Sequence, residues 1–383
     1  MGGMKNPFQY GSKVTGDDFY DRVEIKKSLF NVIAGGNNAV LYGPRRYGKS
    51  SLLAQMIDEL RGQGTVCVYL NMMNVASLDD FISSYSKAVY AQAAPRKGAL
   101  KLLASAFARL RPSLALDDDG RPALSFAVSG TKMGAEELRE ALELPAKLKP
   151  ARRAMVVVLD EFQEVAEFGM GAQFERIMRS VIENHRSVSY VFLGSKAHML
   201  RRMFAAPSRP FYRSAQTFAL ALPPVAESRE FLSSRFRSAG LSLPPDLADE
   251  MVRLAGDVPY YLQALGSWTF RFATERGVRA VSAADVGDAF ESMYNAEREL
   301  FEGVFRSLPT SQRLVARALA REPAAAFTED YRRRHALPTL ATVNTAVRRL
   351  VDDARIDSVE GRYVHVDPLL AHHLRVTADG GAR

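Results

Sequence analysis

With 383 residues, 47% of them hydrophobic, the chain is too long for one simple domain and rich enough in apolar side chains for two or three cores. Its 51 basic against 43 acidic residues give a formal charge of +8, a bias that suits an anionic partner. A lone Cys67 excludes an intramolecular disulfide and a zinc site built with other thiols; the six histidines are scattered apart from His372-His373, and no metal cluster is expected. No run of eighteen apolar residues and no charged-then-apolar leader is present, so the expected setting is the cytoplasm, with no membrane partner.

In chain order, residues 6–36 are polar and glycine-bearing until Phe19-Tyr20-Asp21-Arg22-Val23-Glu24-Ile25 begins a helical period that runs on through Leu29 and Ile33. Phe19 and Tyr20 have two readings, an aromatic face stacked on a base or plain core. Residues 38–42 read as a strand that runs into Gly43-Pro44-Arg45-Arg46-Tyr47-Gly48-Lys49-Ser50, which fits the pattern G-x-x-x-x-G-K-[ST] and opens a helix over about 50–61, with Ser51 in its first turn. A loop that wraps polyphosphate must bring successive backbone N–H groups close to oxygen, and glycine permits the turns required. Lys49 is expected against the β- and γ-phosphates, the Ser50 hydroxyl on a magnesium ion, and the positive end of the helix dipole on the anion. The octet makes the chain a nucleotide binder.

A strand over 66–70 and a helix over 78–92 continue a βαβα alternation. Residues 95–149 interrupt it with a basic helix-like stretch over 97–111 and two alternating runs, 113–116 and 123–128, joined by Asp117-Asp118-Asp119-Gly120-Arg121-Pro122. That is a hairpin signal; the aspartates lack EF-hand spacing and read as an acidic turn. Met155-Val156-Val157-Val158-Leu159-Asp160-Glu161 then reads as a strand buried on both faces and ending in two acids. At the carboxyl end of such a strand Asp160 would hold the magnesium through water and Glu161 would polarise the attacking water; Gln163, Glu164 and Glu167 read as a solvated continuation.

A helix over 173–185 leads to a further buried strand over 190–195, whose Ser195 is either a polar probe of the γ-phosphate or a turn former. The loop 207–213 offers Arg209 and Arg213 as arginine fingers, Arg213 the better placed, before a last strand over 215–222. Pro223-Pro224 breaks the pattern, and 226–295 reads as a small helical lid in which Gly256-Asp257-Val258-Pro259-Tyr260-Tyr261-Leu262-Gln263 starts an apolar helix.

This order of motifs resembles that of the archaeal-type ATPases, prokaryotic relatives of the STAND branch of AAA-type P-loop proteins, over nearly the whole chain. The resemblance implies an α/β fold, with the parallel sheet of a P-loop NTPase flanked by helices, followed by a helical lid and a C-terminal winged helix. It implies ATP and Mg²⁺ as cofactors, and it brings the Gly-x-x-Pro turn of the lid, here Gly256 to Pro259 with Tyr260, to the edge of the nucleotide. It assigns Phe19, Tyr20 and Arg22 to the base-contacting box, with Asp21 where that family often has Gly. A lid arginine aimed at the γ-phosphate is missing, which favours a nucleotide-gated switch over a ring-forming remodeller.

The end of the chain fits that outline, with helices over 311–320, 328–335 and 339–353 and short strands over 355–359 and 362–366 turning at Glu360-Gly361. Thr342, Asn344, Thr345, Arg348 and Arg349 on the third helix are types able to reach bases or phosphates; docking of a protein client, or self-association, is the other use of such a domain, and Asp352 and Asp353 would repel phosphate. The expected division is 1–223 for the ATPase core with an insertion over about 95–149, 224–298 for the lid, and 299–383 for the winged helix and tail. Two functional readings follow: an ATPase switch that moves the winged helix, or a DNA-binding regulator or defence component that keeps ATP mainly as a structural ligand. A kinase or small-molecule transferase on the same loop lacks an evident acceptor pocket.

Overall fold

Strands that read as unbroken apolar runs should lie at the centre of a sheet covered on both faces, and that is where they are. In a computed structural model of the chain, whose described residues are 5–11, 22–93, 111–116, 122–127, 133–148 and 153–379, β5 (Met155–Asp160) and β6 (Val188–Gly194) are buried along their whole length. With β1 (Ala39–Tyr42), β2 (Val66–Asn71) and β7 (Gln216–Ala219) they form a five-stranded sheet in the order β2-β5-β6-β1-β7, all parallel. The strand expected over 215–222 is shorter: β7 is an edge strand with mostly exposed side chains, and Pro223-Pro224 cannot extend its ladder.

The chain divides into two compact units. The first to consider comprises Val23–Gly43 and Leu53–Ala219 and contains this sheet. Helix α1 (Val23–Ala34) buries Leu29 and Ile33; α2 (Lys49–Gly62) follows the glycine loop, and α3 (Leu78–Ala93) follows β2. The antiparallel hairpin of β3 (Arg111–Leu116) and β4 (Pro122–Ala127) is present; Arg111, read as the end of the helix-like stretch 97–111, opens β3 instead, Pro122 opens β4, and the rest of that stretch and of the acidic turn lies outside the described residues. Helix α4 (Ala135–Leu148), within the stretch read as an insertion, buries Leu138, Ala141, Leu142 and Leu144, a helical period that makes it part of this unit's core. Helices α5 (Ala172–Ile182) and α6 (Ala197–Ala205) complete it.

One aromatic cluster matters for function. Phe162, fully buried directly after β5, packs its ring 4.6 Å from Phe192 and 5.7 Å from Phe211, and Phe204 stacks 4.9 Å from Phe211. Burying Phe162 fixes the chain on the far side of Glu161, whose backbone is forced into the left-handed region at φ 54°.

The other unit gathers residues up to Arg22, Pro44–Leu52 and Leu220–Arg383. Its helices are α7 (Val225–Ser238), α8 (Pro245–Leu254), α9 (Pro259–Glu275) and α10 (Ala283–Ser307), two of them opened by proline at the first position and α10 by a capping box between Ser282 and Asp285. Phe8 lies against Gly266 of α9, where any Cβ would strike its ring, and 4.9 Å from Phe236. The winged helix follows: α11 (Thr310–Arg321), α12 (Glu329–Arg334), α13 (Leu340–Asp352), the hairpin of β8 (Ile356–Val359) and β9 (Arg362–His365), and a closing helix α14 (Pro368–Asp379). The helix α10 is continuous across residue 298, so the last part of the expected lid and the first of the expected terminal domain share one rod. Among the described residues no helix is long and apolar enough to cross a membrane.

Candidate functional site

The sheet puts the chemistry-bearing strand ends on one edge. Tyr42, the last residue of β1, is in register with Gly194, the last of β6, and Asn71 of β2 with Asp160 of β5. The Gly43 N–H extends that alignment by donating to the Gly194 carbonyl at 3.4 Å. The glycine loop leaves β1 here, so it emerges from the carboxyl edge, where open α/β sheets collect ligands.

Within the loop, Arg46 at φ 70° and Gly48 at φ 90° make the left-handed turns that fold the backbone back before α2 begins at Lys49. Pro44, Tyr47, Lys49 and Ser51 are buried, Gly48 and Ser50 half-buried, and Arg45 points outward. The Lys49 ammonium donates to the Pro44 carbonyl at 2.8 Å, spanning the loop. Arg22 braces it from outside: its guanidinium, itself buried, donates to the Tyr47 carbonyl at 3.4 Å. Burial pushes the Tyr47 hydroxyl up to about 12, reinforced by Asp357 and opposed by Arg22. Phe19 and Tyr20 of the expected base-contacting box lie outside the described residues.

Arg46 ties the loop to several partners. Its carbonyl accepts from the Tyr260 N–H at 3.4 Å, and its guanidinium lies 4.7 Å from the ring centre of Tyr260 and 4.8 Å from that of Tyr261. The same guanidinium donates to Asp367 at 3.0 Å and approaches Glu297 of α10 at 3.9 Å. One oxygen of Asp367 caps α14 through the N–H groups of Leu369 and Leu370 at 3.0 and 3.1 Å, and the other accepts from Arg46 and, at 2.5 Å, from the Tyr261 hydroxyl. Burial raises the Asp367 and Glu297 carboxyls, with Arg46 pulling against it in both. Pro259 opens α9 directly behind this cluster, and Gly256, at φ 60°, has no room for a side chain beside Pro368.

The acids sit in the other unit. Asp160, only 4% exposed, accepts from the Tyr69 hydroxyl at 2.7 Å and from the Glu161 N–H at 3.0 Å. Burial and that hydrogen bond drive the Tyr69 hydroxyl well above its ordinary value, so it stays a proton donor to the carboxylate. One oxygen of Glu161, Oε2, accepts three times: from the Ser195 hydroxyl at 2.8 Å, the Ser195 N–H at 3.0 Å and the Gln163 amide at 2.6 Å. Ser195, in the bend after β6, is therefore brought to Glu161. Arg213 is exposed at φ 54°, its guanidinium 5.1 Å from the Tyr212 ring. Arg209, the other arginine of that loop, is instead paired with the buried Glu175 of α5.

Among the described residues, eight besides glycine have positive φ, and Arg22, Arg46, Glu161 and Arg213 are four of them. Such conformations cost free energy and persist where the surroundings over-determine them, so their fall on the expected site residues marks these positions as held. Three partners escape a reading of the sequence: Tyr69, Gln163 and Asp367. Asp367 alone has a legible signal, since Asp-Pro at a helix start is cap chemistry. Gln163 left only an indirect one, the bare Gly194 that makes room for it.

A search of curated proteins finds no match. A family model described as an ATPase domain predominantly from Archaea matches residues 19–265, and one described as a probable winged helix domain matches residues 299–376. Among solved structures, a Walker-type ATPase of Pyrococcus abyssi is similar over 96% of this chain and 99% of its own, at TM-score 0.67 and 20% identity. The ORC2 protein of Aeropyrum pernix, in ADPNP–ADP complexes, is similar over 94% of each chain at TM-score 0.57 and 14% identity. The ORC1 protein of Aeropyrum pernix, in complex with DNA, covers 96% of this chain and 95% of its own at TM-score 0.50 and 16% identity. These likenesses establish the P-loop fold, and with the family matches they identify the chain as a member of the ATPase family found predominantly in Archaea, with a winged helix domain at its C-terminus.

Proposed function

We propose that the chain is an ATP-hydrolysing switch in which the state of the phosphate loop is reported to the winged helix through Arg46. That residue carries the reading: a variable position of the loop is gripped by two tyrosines that start the lid helix α9, by Glu297 of α10 and by the Asp367 cap of α14. A loop that must rearrange around a triphosphate cannot do so without loading those contacts.

The residues present suit the ligand. Lys49 is a buried cation resting on a loop carbonyl, a charge a polyphosphate would neutralise, and it opens α2, whose positive dipole end suits an anion. Arg22, Phe19 and Tyr20 are assigned to the base side and Pro259 to the edge of the nucleotide. The hydroxyl of Ser50 and the carboxylate of Asp160 are hard oxygen donors of the kind magnesium takes, and the ion, when bound, neutralises charge on the β- and γ-oxygens. Glu161 orients the water that adds to the γ-phosphorus as the bond to the bridging oxygen breaks; Lys49 and Arg213 offset the charge that develops, and Ser195 fixes Glu161.

The coupling has a direct test. In the parental protein a non-hydrolysable ATP analogue should lower hydrogen-exchange protection over residues 356–376 relative to ADP. Asp367→Asn keeps the helix cap but removes the charge that holds Arg46, so its protection should be low with either nucleotide. Protection that is indifferent to nucleotide in the parent sinks the switch.

A second reading, DNA binding by the winged helix, is favoured by the face α13 presents: Thr342, Asn344, Thr345, Arg348 and Arg349 are all exposed, while Val343, Ala346, Val347 and Leu350 turn inward. If it holds, duplex affinity should fall steeply across a salt series, and Arg348→Ala with Arg349→Ala should flatten the slope by about two phosphate contacts. No binding at low salt eliminates it.

A further inference from the structure

We propose that Gln163 is the positioning residue of the Glu161 carboxylate, acting with Ser195 as a three-donor cradle; this rests on the reading of Glu161 as the group that orients water. Glu161 has a left-handed backbone and is followed by the fully buried Phe162, so its side chain leaves the strand in a direction set by the backbone, but its carboxylate still needs an orientation. The side chain of Gln163, 2% exposed, supplies it: Nε2 donates to Glu161 Oε2 at 2.6 Å and to Glu164 Oε1 at 3.3 Å.

The amide has one productive orientation. With both N–H bonds aimed at carboxylates, turning it over would set an oxygen against two negative charges. At its other end the amide is crowded, since Gln163 Oε1 presses on Gly194. A Cβ on Gly194 would collide with Gln163 and with Leu200, although the Gly194 backbone itself is one that alanine could adopt. The end of β6 is thus bare on the side that holds Gln163, while its next residue, Ser195, offers both N–H and hydroxyl to the same carboxylate oxygen. Glu164 is balanced in turn by Lys196 at 3.4 Å, so the cradle does not gather uncompensated acids.

A positioning role differs from a structural one in what it depends on. Gln163→Leu should lower the single-turnover rate about tenfold to a hundredfold, the scale of a displaced reacting group, while ATP affinity by calorimetry stays within about threefold. In a Glu161→Gln background the same substitution should change the residual rate by less than about twofold, because Gln163 has then no carboxylate to orient. A nucleotide-free crystal structure of Gln163→Leu should find the Glu161 carboxylate away from Ser195. Gln163→Met, of similar length and volume, gives the same readouts if the leucine variant folds poorly. Parental turnover in both single variants, an equal rate loss in the Glu161→Gln background, or a Glu161 still seated on Ser195 would each overturn the proposal. Should Glu161→Gln itself turn over at the parental rate, it is the reading of Glu161 that fails, a result distinct from those.

Discussion

Glu161→Gln is expected to lower ATP hydrolysis by about 10²–10⁴-fold, the usual contribution of a positioned general base, while ATP affinity stays within about threefold. The substitution is nearly isosteric, and the new amide oxygen can still accept from Ser195 and Gln163, so the cradle that holds the side chain at 2.6–3.0 Å survives. What disappears is the negative charge that polarises water. Single-turnover hydrolysis together with calorimetry separates this from a binding defect. Parental phosphate release by the variant would refute the catalytic assignment, and a parent that itself turns over negligibly would favour nucleotide as a structural ligand.

Arg209→Met is expected to act on stability rather than on catalysis, which separates it from Arg213 in the same loop. Glu175 is buried on α5 with Arg209 as its ion-pair partner. Removing one member of a buried pair costs about 3–5 kcal/mol, and here it leaves Glu175 only the weaker influence of Arg202 and Arg176. Burial already pushes the Glu175 carboxyl up, and Arg209 is the largest influence pulling it down. Without Arg209 the folded-state value rises further, so the folded protein binds more protons than the unfolded one above the ordinary carboxylate range, near about 4.3. Stability then falls as pH rises above that range: the Tm deficit should be small at pH about 5 and grow as the pH is raised. Replacing Glu175 with Leu in the same chain should recover most of it. A hydrolysis defect at unchanged Tm would return Arg209 to the list of finger candidates.

Much of the fold was legible because its signals are local. Apolar runs over 38–42, 66–70, 155–160 and 190–195 define a parallel sheet, the octet from Gly43 to Ser50 names its own loop, and Asp160-Glu161 stands at a strand end. The winged helix was legible from its three short helical periods and the Glu360-Gly361 turn, realised with φ 49° and 78°. What stayed hidden depends on distance along the chain. Gln163 looked like solvated surface because a glutamine two residues after an acid pair has no period to betray it; only folding brings it under Gly194. Tyr69 and Asp160 are 91 residues apart, and Arg46 and Asp367 are 321 apart, separations across which no spacing rule operates. The helix α4 was hidden for another reason, since the hairpin signal before it drew the boundary of the insertion too late.

The unbroken run from Ala283 to Ser307 has a mechanical consequence. At 1.5 Å per residue its 25 residues make a strut about 37 Å long, stiff over its whole length and carrying Glu297 partway along. A tilt of about ten degrees at one end sweeps the other through roughly 6 Å on that geometry. If the chain is the switch proposed above, such a strut would amplify small rearrangements near Arg46, and a pair of glycines inserted midway along it should uncouple the winged helix from nucleotide while leaving hydrolysis intact.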